Sequence, residues 1–297
     1  MKHRSVNKQE ISETMRFDGS FHNADGNIYH RAVSKHSSHN LSDYCTRIFT
    51  SGRNRRVYTD EVHGYPFLSN SDVSAANPFM SCKYSSRKYG FDLDAVLQPG
   101  MILTGRVGAI GQTAFVPPHW IKKNAMGSDN IIRIVTKPEV KKGFIYAFLA
   151  SKMGRLILLK HSTGGVQPFI TDAMVGTILV PDFPDEFQEE IDGMIQESAR
   201  LREEAAEALS DVHNIFLREL SIKIKPVENS IKIQDILSSK GRRFEGCMHT
   251  DDAKQFLDAI KTYFPFKRVF DLTLNAYTEN IFKREYVENG VPFIIVR

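Results

Sequence analysis

Apolar residues step by four and three through residues 185–221: Phe187, Ile191, Met194, Ser198, Leu201, Ala205, Ala208, Val212 and Ile215, with Ser198 the one polar member. A period of 3.5 held over four heptads predicts a single long helix with a coiled-coil seam. Ile195, Leu209 and Phe216 widen the stripe. At 1.5 Å per residue such a helix is about 54 Å long, more than one globular domain covers. A long surface helix packed on its own domain is the alternative. Asp185 followed by Gln188 fits a capping box, with Pro184 just before it as punctuation.

Ahead of the helix the pattern shortens. Tyr65–Leu68, Met101–Thr104, Thr113–Val116, Asn130–Val135 and Thr177–Val180 are β-branched or aromatic runs bounded by Gly, Pro or Asn, and predict strands. Phe144, Phe148, Leu149, Met153, Leu156 and Ile157 recur at helical spacing and predict one amphipathic helix over residues 144–160. Gly105-Arg106-Val107-Gly108-Ala109-Ile110-Gly111 lies between two of the strands. Its glycines are spaced three and three with a strand after them, unlike a dinucleotide loop, and no Gly-Lys-Ser/Thr follows, unlike a phosphate loop. It predicts a tight hairpin whose backbone runs close to a neighbouring surface. Ser162–Pro168 reads as a loop. The fold class is therefore α+β: a mixed α/β domain over residues 1–181 with a long protruding helix over 182–225.

The rest of the chain repeats the beginning. Arg16-Phe17-Asp18-Gly19 returns as Arg243-Phe244-Glu245-Gly246, and Gly64-Tyr65-Pro66-Phe67-Leu68 as Gly290-Val291-Pro292-Phe293-Ile294. The offsets are 227 and 226 positions, and at the first of these His22 aligns with His249 and Asp25 with Asp252. A duplicated module follows, of which residues 226–297 hold the opening of a second, truncated copy. Two similar modules suit a partner that is itself repetitive or two-fold symmetric, and DNA is the commonest.

Composition adds to this picture. Hydrophobic content of 41% with 10% aromatics suffices for a core. Cys45, Cys82 and Cys247 are too few and too scattered for a disulfide framework, which fits reduced thiols in a cytoplasmic protein. The polar start Met1-Lys2-His3-Arg4 shows no secretory signal, and no apolar run approaches membrane-spanning length. His36, His39 and Cys45 lack a fourth matching ligand, so no metal or other cofactor is expected. Charge is lopsided: residues 1–181 hold 23 Lys and Arg against 13 Asp and Glu, whereas residues 182–211 hold 11 acidic and two basic residues. A basic globule points to a polyanion, and an acidic helix to a spacer or a protein-binding surface. An ordinary solvated basic surface is the bland alternative.

The order of parts resembles the specificity subunit of type I restriction-modification systems. The matching stretches are Gly64-Tyr65-Pro66-Phe67, Leu97-Gln98-Pro99-Gly100-Met101-Ile102-Leu103 with the glycine hairpin, Thr163-Gly164-Gly165-Val166-Gln167, Ile178-Leu179-Val180-Pro181, and Phe187-Gln188 with Ile191 entering the heptads. Gly100-Met101 departs from the family's glycine-aspartate turn. The similarity covers residues 16–221, and 243–297 as a second start that lacks the later motifs.

The resemblance implies a non-catalytic, sequence-specific DNA-binding subunit whose target-recognition domain reads a half-site of double-stranded DNA. Methyltransferase (modification) and restriction subunits would dock on the helix, which would set half-site separation at up to roughly 15 base pairs. Candidate phosphate contacts are Arg53, Arg55 and Arg56, Lys83, Arg87 and Lys88, and Lys122 and Lys123; candidate base readers are Arg106 and Gln167. For each, a solvated surface role stays open, and the Gly164-Gly165 pair can equally serve a plain turn. Without a cis partner helix, the stripe from Phe187 to Ile215 would pair two chains antiparallel as a homodimer.

Rival readings remain at this point. Asp129 followed by Glu139-Val140-Lys141 matches the loose acid, acid-x-lysine pattern of metal-dependent nucleases, although Pro138 interrupts the strand that pattern needs. Asn77-Pro78-Phe79 is the nearest approach to the catalytic motif of amino-methyltransferases, which leaves a recognition module separated from a fused restriction-methylation enzyme. A scaffold whose basic domain binds protein is the third.

Overall fold

The computed structural model describes residues 5–219 except 54, 76, 81, 90, 91, 109, 165 and 166, and beyond them 233–238, 258, 260–262, 265, 267 and 269–274. The chain divides into two compact units, Met1–Leu209 and Ser210–Arg297. The returning motifs at 243–246 and 290–294, and Cys247, lie outside the described residues. So do Ala109, Gly165 and Val166 of the glycine motifs.

In chain order the first unit runs α1 (Lys8–Thr14), α2 (Gly19–His22), α3 (Gly26–Ser34), β1 (Ser38–Asn40), β2 (Cys45–Phe49), β3 (Tyr58–Thr59), β4 (Gly64–Leu68), α4 (Asn70–Val73) and β5 (Lys83–Ser86). It continues with β6 (Ile102–Gly105), β7 (Thr113–Phe115), β8 (Met126–Gly127), β9 (Ile131–Thr136), α5 (Lys142–Ala150), α6 (Lys152–His161), α7 (Asp172–Gly176) and β10 (Leu179–Pro181). The long helix α8 (Asp185–Glu219) follows. The five strands expected from the sequence are present with ends shifted by one or two residues.

One sheet, ordered β2-β9-β6-β7 and antiparallel throughout, is the middle layer. Its central strands are apolar on both faces because both are covered. Ile102, Ile132 and Ile134 point into a core shared with Phe144, Ile145, Leu149 and Ile157 of the helices. Leu103 and Ile131, one residue out of phase, join Leu68, Leu97, Met101 and Trp120 on the opposite side. A second sheet, ordered β3-β5-β4-β8, lies there, and a β1-β10 pair closes the domain.

Two expectations need correction. The 144–160 helix is two helices, broken where Ser151 turns extended (φ −63°, ψ 161°). The Ser151 hydroxyl donates to the Phe148 carbonyl at 2.7 Å and accepts from the Gly154 N–H at 3.1 Å, so it ends α5 and caps α6. The apolar spacing ran across the break because both helices face one core. At α8, Asp185 is the first helical residue, not the cap, and the Gln188 side-chain amide donates to the Phe183 carbonyl at 2.7 Å, so no capping box forms.

Over its first five turns α8 lies against the globule. Lys141 pairs with Glu189 at 2.7 Å, the Asp192 carboxylate accepts from the Gly143 N–H at 2.5 Å, and His119 meets Glu203 at 3.0 Å. Ile191 joins the helical core, and the rings of Phe183 and Phe187 lie beside Phe144. Between these contacts, a cavity of about 250 Å³ separates the helix at Ile195, Ala199 and Ala206 from Phe115, Trp120 and Tyr146. One face of the helix is thus packed on its own domain, while Met194, Leu201, Ala205, Ala208, Val212 and Ile215 remain exposed.

Candidate nucleic-acid interface

The first group of cations gathers on the β3-β5-β4-β8 sheet. Strand register places Tyr58 and Tyr65 both opposite Ser85, and Phe67 opposite Lys83. Strand alternation puts these residues on one face, with Pro66, Leu68 and Tyr84 on the other. Lys83 sits 4.9 Å from the Tyr58 ring centre, Arg87 5.0 Å from Tyr65, and Arg56 5.5 Å from Phe67. Lys88, just beyond β5, lies 5.4 Å from the Tyr89 ring centre. Arg53 and Arg56 both reach Asp129, Arg53 at 3.9 Å and Arg56 through a short ion pair. Arg55 and Arg56 line a narrow cleft with Asp92 and Asp129. Six of the ten candidate residues occupy this sheet or the loops flanking it, and of these only Arg53 and Arg56 are tied to a carboxylate by a described ion pair.

Arg106 and Gln167 lie elsewhere, on two loops joined through backbone chemistry. The β6–β7 hairpin loop and the glycine loop after α6 are stitched to each other. The Ile170 N–H donates to the Arg106 carbonyl at 2.9 Å, and the Gly108 N–H to the Pro168 carbonyl at 3.4 Å. Thr163 and Phe169 exchange both backbone bonds, at 2.8 and 2.7 Å, which closes the glycine loop on itself. That closure needs Gly164 at φ +98°. Gly111, at φ +82°, lets the hairpin approach α6, since a Cβ there would come within 2.9 Å of the Arg155 side chain. The expected close approach holds at Gly111, whereas eight residues separate the paired Thr104 and Thr113, so the hairpin is not a tight one.

Lys122 and Lys123 fall at the end of a 3₁₀ turn over Pro118–Lys123. Lys123 lies 4.8 Å from the Phe79 ring centre, and Phe79 meets Trp120 edge-on beside α8. These two lysines belong to the helix-facing part of the domain and not to the sheet cluster.

Several working residues escaped the sequence reading. Arg133 on β9 is fully buried and donates to four carbonyls: Ser128 at 3.3 Å, Ile131 at 2.8 Å, Ala95 at 3.3 Å and Gly127 at 2.5 Å. Burial lowers its pKa to about 10, still far above neutrality, so it stays charged. It fixes the 126–131 turn that carries Asp129. Arg16, from the repeated motif, pairs with Asp18 at 2.6 Å and donates to the His161 and Ser162 carbonyls at 3.5 and 3.1 Å, anchoring the approach to the glycine loop. The Arg16 guanidinium holds the Asp18 carboxyl well below the usual range. Phe169, 39% exposed between Val107 and Thr163, adds an apolar surface beside Arg106.

The nuclease constellation does not assemble. Asp129 precedes β9 and is held by Arg56, whereas Glu139 and Lys141 follow its far end, a strand of six residues or about 20 Å away. Lys141 is engaged with Glu189. Among the described residues no group of three His, Cys, Asp or Glu could hold a metal ion. Cys45 is buried on β2, and burial pushes its thiol up to about 12. No helix among the described residues is long and apolar enough to cross a membrane.

The described residues thus define an α+β domain with cations and aromatics on one sheet, two joined polar loops, and a long acidic helix. No protein-family model matches the chain, and no curated protein matches it. Similar solved structures include a type I R-M system studied for complex assembly and conformational transition, with 14% identity, a TM-score of 0.41, and coverage of 65% of this chain and 49% of that one. The HsdS subunit from Thermoanaerobacter tengcongensis gives 14% identity and a TM-score of 0.40 over 61% of this chain and 46% of that chain. The type IIG restriction endonuclease BpuSI gives 8% identity and a TM-score of 0.45 over 88% and 36%. The chain spans half or less of the length of each.

Proposed function

We propose that this chain is a sequence-specific DNA-binding specificity subunit of a type I restriction-modification complex, non-catalytic itself, that reads a duplex half-site. The observation that carries the reading is the stitching of the hairpin loop to the glycine loop. It joins the loop that carries Arg106, able to make a bidentate bond to guanine, to the loop that carries Gln167, able to do the same with adenine. The cations of the neighbouring clusters supply the sequence-independent grip on phosphate. Methyltransferase and restriction subunits are the proposed partners, docking on α8, in the cytoplasm. Residues 226–297 are proposed as the start of a second recognition module.

Binding to a randomised duplex pool, followed by affinity measurements at several salt concentrations, tests this. With about six phosphates neutralised, log affinity should fall against log salt with a slope of about −5. Arg106→Ala should cost about 1–3 kcal/mol on the selected sequence and leave random duplex almost untouched. No attraction to duplex at any ionic strength would end the reading.

The exposed stripe on α8 is proposed to pair with a second helix, in the simplest case antiparallel from another copy of this chain. Met194, Leu201, Val212 and Ile215 are 47–57% exposed in register along the rod. Light scattering should show a concentration-dependent dimer that Leu201→Asp converts to monomer. A wild-type chain that stays monomeric at high concentration would exclude it.

A further inference from the structure

Three aromatic rings on the β3-β5-β4-β8 sheet serve no core. Leu68 on the opposite face belongs to the apolar cluster, whereas Tyr58 is 44% exposed and Tyr65 and Phe67 are half-buried beneath cations. Tyr58 and Phe67 meet edge-on with ring centres 6.1 Å apart. Each of the three rings carries its own cation, Lys83, Arg87 or Arg56. These three pairs share a single sheet face.

Flat π-surfaces interleaved with cations suit a ligand that alternates flat rings with negative charges. Duplex DNA hides its base faces inside the stack; an unpaired strand offers them. An acidic peptide would use the cations and leave the rings unused. We propose that this sheet face is a single-stranded nucleic-acid site, a platform on which one or two unpaired bases stack on Tyr58 and Tyr65 while Lys83 and Arg87 swing from the rings to the phosphates. Arg56, held by Asp129, stays over Phe67 and closes one end of the platform. The site shares Lys83 and Arg87 with the proposed phosphate grip but is separate from the joined loops assigned to base reading, and it does not require that reading to be correct.

Fluorescence anisotropy with the full chain tests it, using a labelled 12-nucleotide DNA strand, the same strand with abasic spacers, and the matching duplex. The expected result is that the strand binds at low salt and the abasic strand binds at least tenfold more weakly. Tyr58→Ala with Tyr65→Ala should weaken the base-bearing strand about tenfold or more and leave the duplex affinity within twofold, while Tyr58→Phe keeps wild-type binding. Equal affinity for the abasic and base-bearing strands, or no binding of the strand, would overturn the proposal; the wild-type comparison holds even if the double variant folds poorly. Loss of duplex binding alone, with the strand still bound, would count against the duplex reading and leave this one standing.

Discussion

Replacing Arg133 with leucine is expected to lower the unfolding free energy by about 4 kcal/mol, a large share of the roughly 5–15 kcal/mol typical of a folded domain. The guanidinium lies wholly inside the globule with its ring neighbour Phe49 6.0 Å away, and its hydrogen bonds go to backbone carbonyls. Leucine fills much of the volume, so the cavity contribution is modest. The loss arises from the carbonyls of Ala95, Gly127, Ser128 and Ile131, which lose a charged donor in a place water does not reach. One stranded buried acceptor costs about 1–3 kcal/mol; three of the four sit on one turn, where Ser128 keeps the Ile131 N–H, so the losses relax together and do not add. Arg133→Lys keeps the charge with too few donors in a single direction, and about half the loss should remain. Urea unfolding of the full chain, read as a lower midpoint at unchanged slope, checks both. A leucine variant within 1 kcal/mol of wild type would show that the carbonyl cage contributes little.

Acid should open the junction of α2, α3 and α6 well before it protonates most carboxylates. His161 at the end of α6 and His30 on α3 face each other with ring centres 6.0 Å apart, and Lys160 lies buried with its ammonium 4.7 Å from the Phe21 ring centre. Burial pushes His161 down from 6.5 to about 3, helped by Lys160, His30 and Arg16, and pushes His30 down to about 4, helped by Lys160. Both are therefore neutral in the folded chain across the range where the unfolded chain binds protons. The stability this represents is complete above about pH 6.5 and drains away as pH falls toward the folded values. For His161 alone the loss between pH 6.5 and pH 4 is on the order of 3 kcal/mol. Asp18, held low by Arg16, drains in the same direction at lower pH. Urea unfolding at a series of pH values should show this slope, and His161→Phe should flatten it whatever that variant does to stability at pH 7. Parallel profiles for the two proteins between pH 6.5 and 4 would refute the assignment.

Local periodicity carried the long helix, five strands and the hairpin into view, because each is specified by residues adjacent in sequence. It failed at Ser151, where one hydroxyl ends a helix and caps the next while the apolar spacing runs on. Strands β2, β3 and β5 were invisible for a different reason: they are short, polar on one face, and exist only because a partner distant in sequence completes them. For Arg133 the signal was present as a lone cation inside Ile131-Ile132-Arg133-Ile134-Val135, a run that should otherwise be buried. The basic clusters were legible as chemistry, but their sorting was not. Only the fold shows that Lys83 and Arg87 meet Tyr58 and Tyr65 on one sheet, and that Lys123 lies with Phe79 and Trp120 by the long helix.

The placement of Trp120 has a practical corollary. It is the chain's one tryptophan and lines the cavity beneath α8. Its ultraviolet emission is therefore a native optical gauge of the seam between rod and globule: a partner that pries the rod away would redden the emission, and one that seats it more firmly would turn it bluer, with no dye attached.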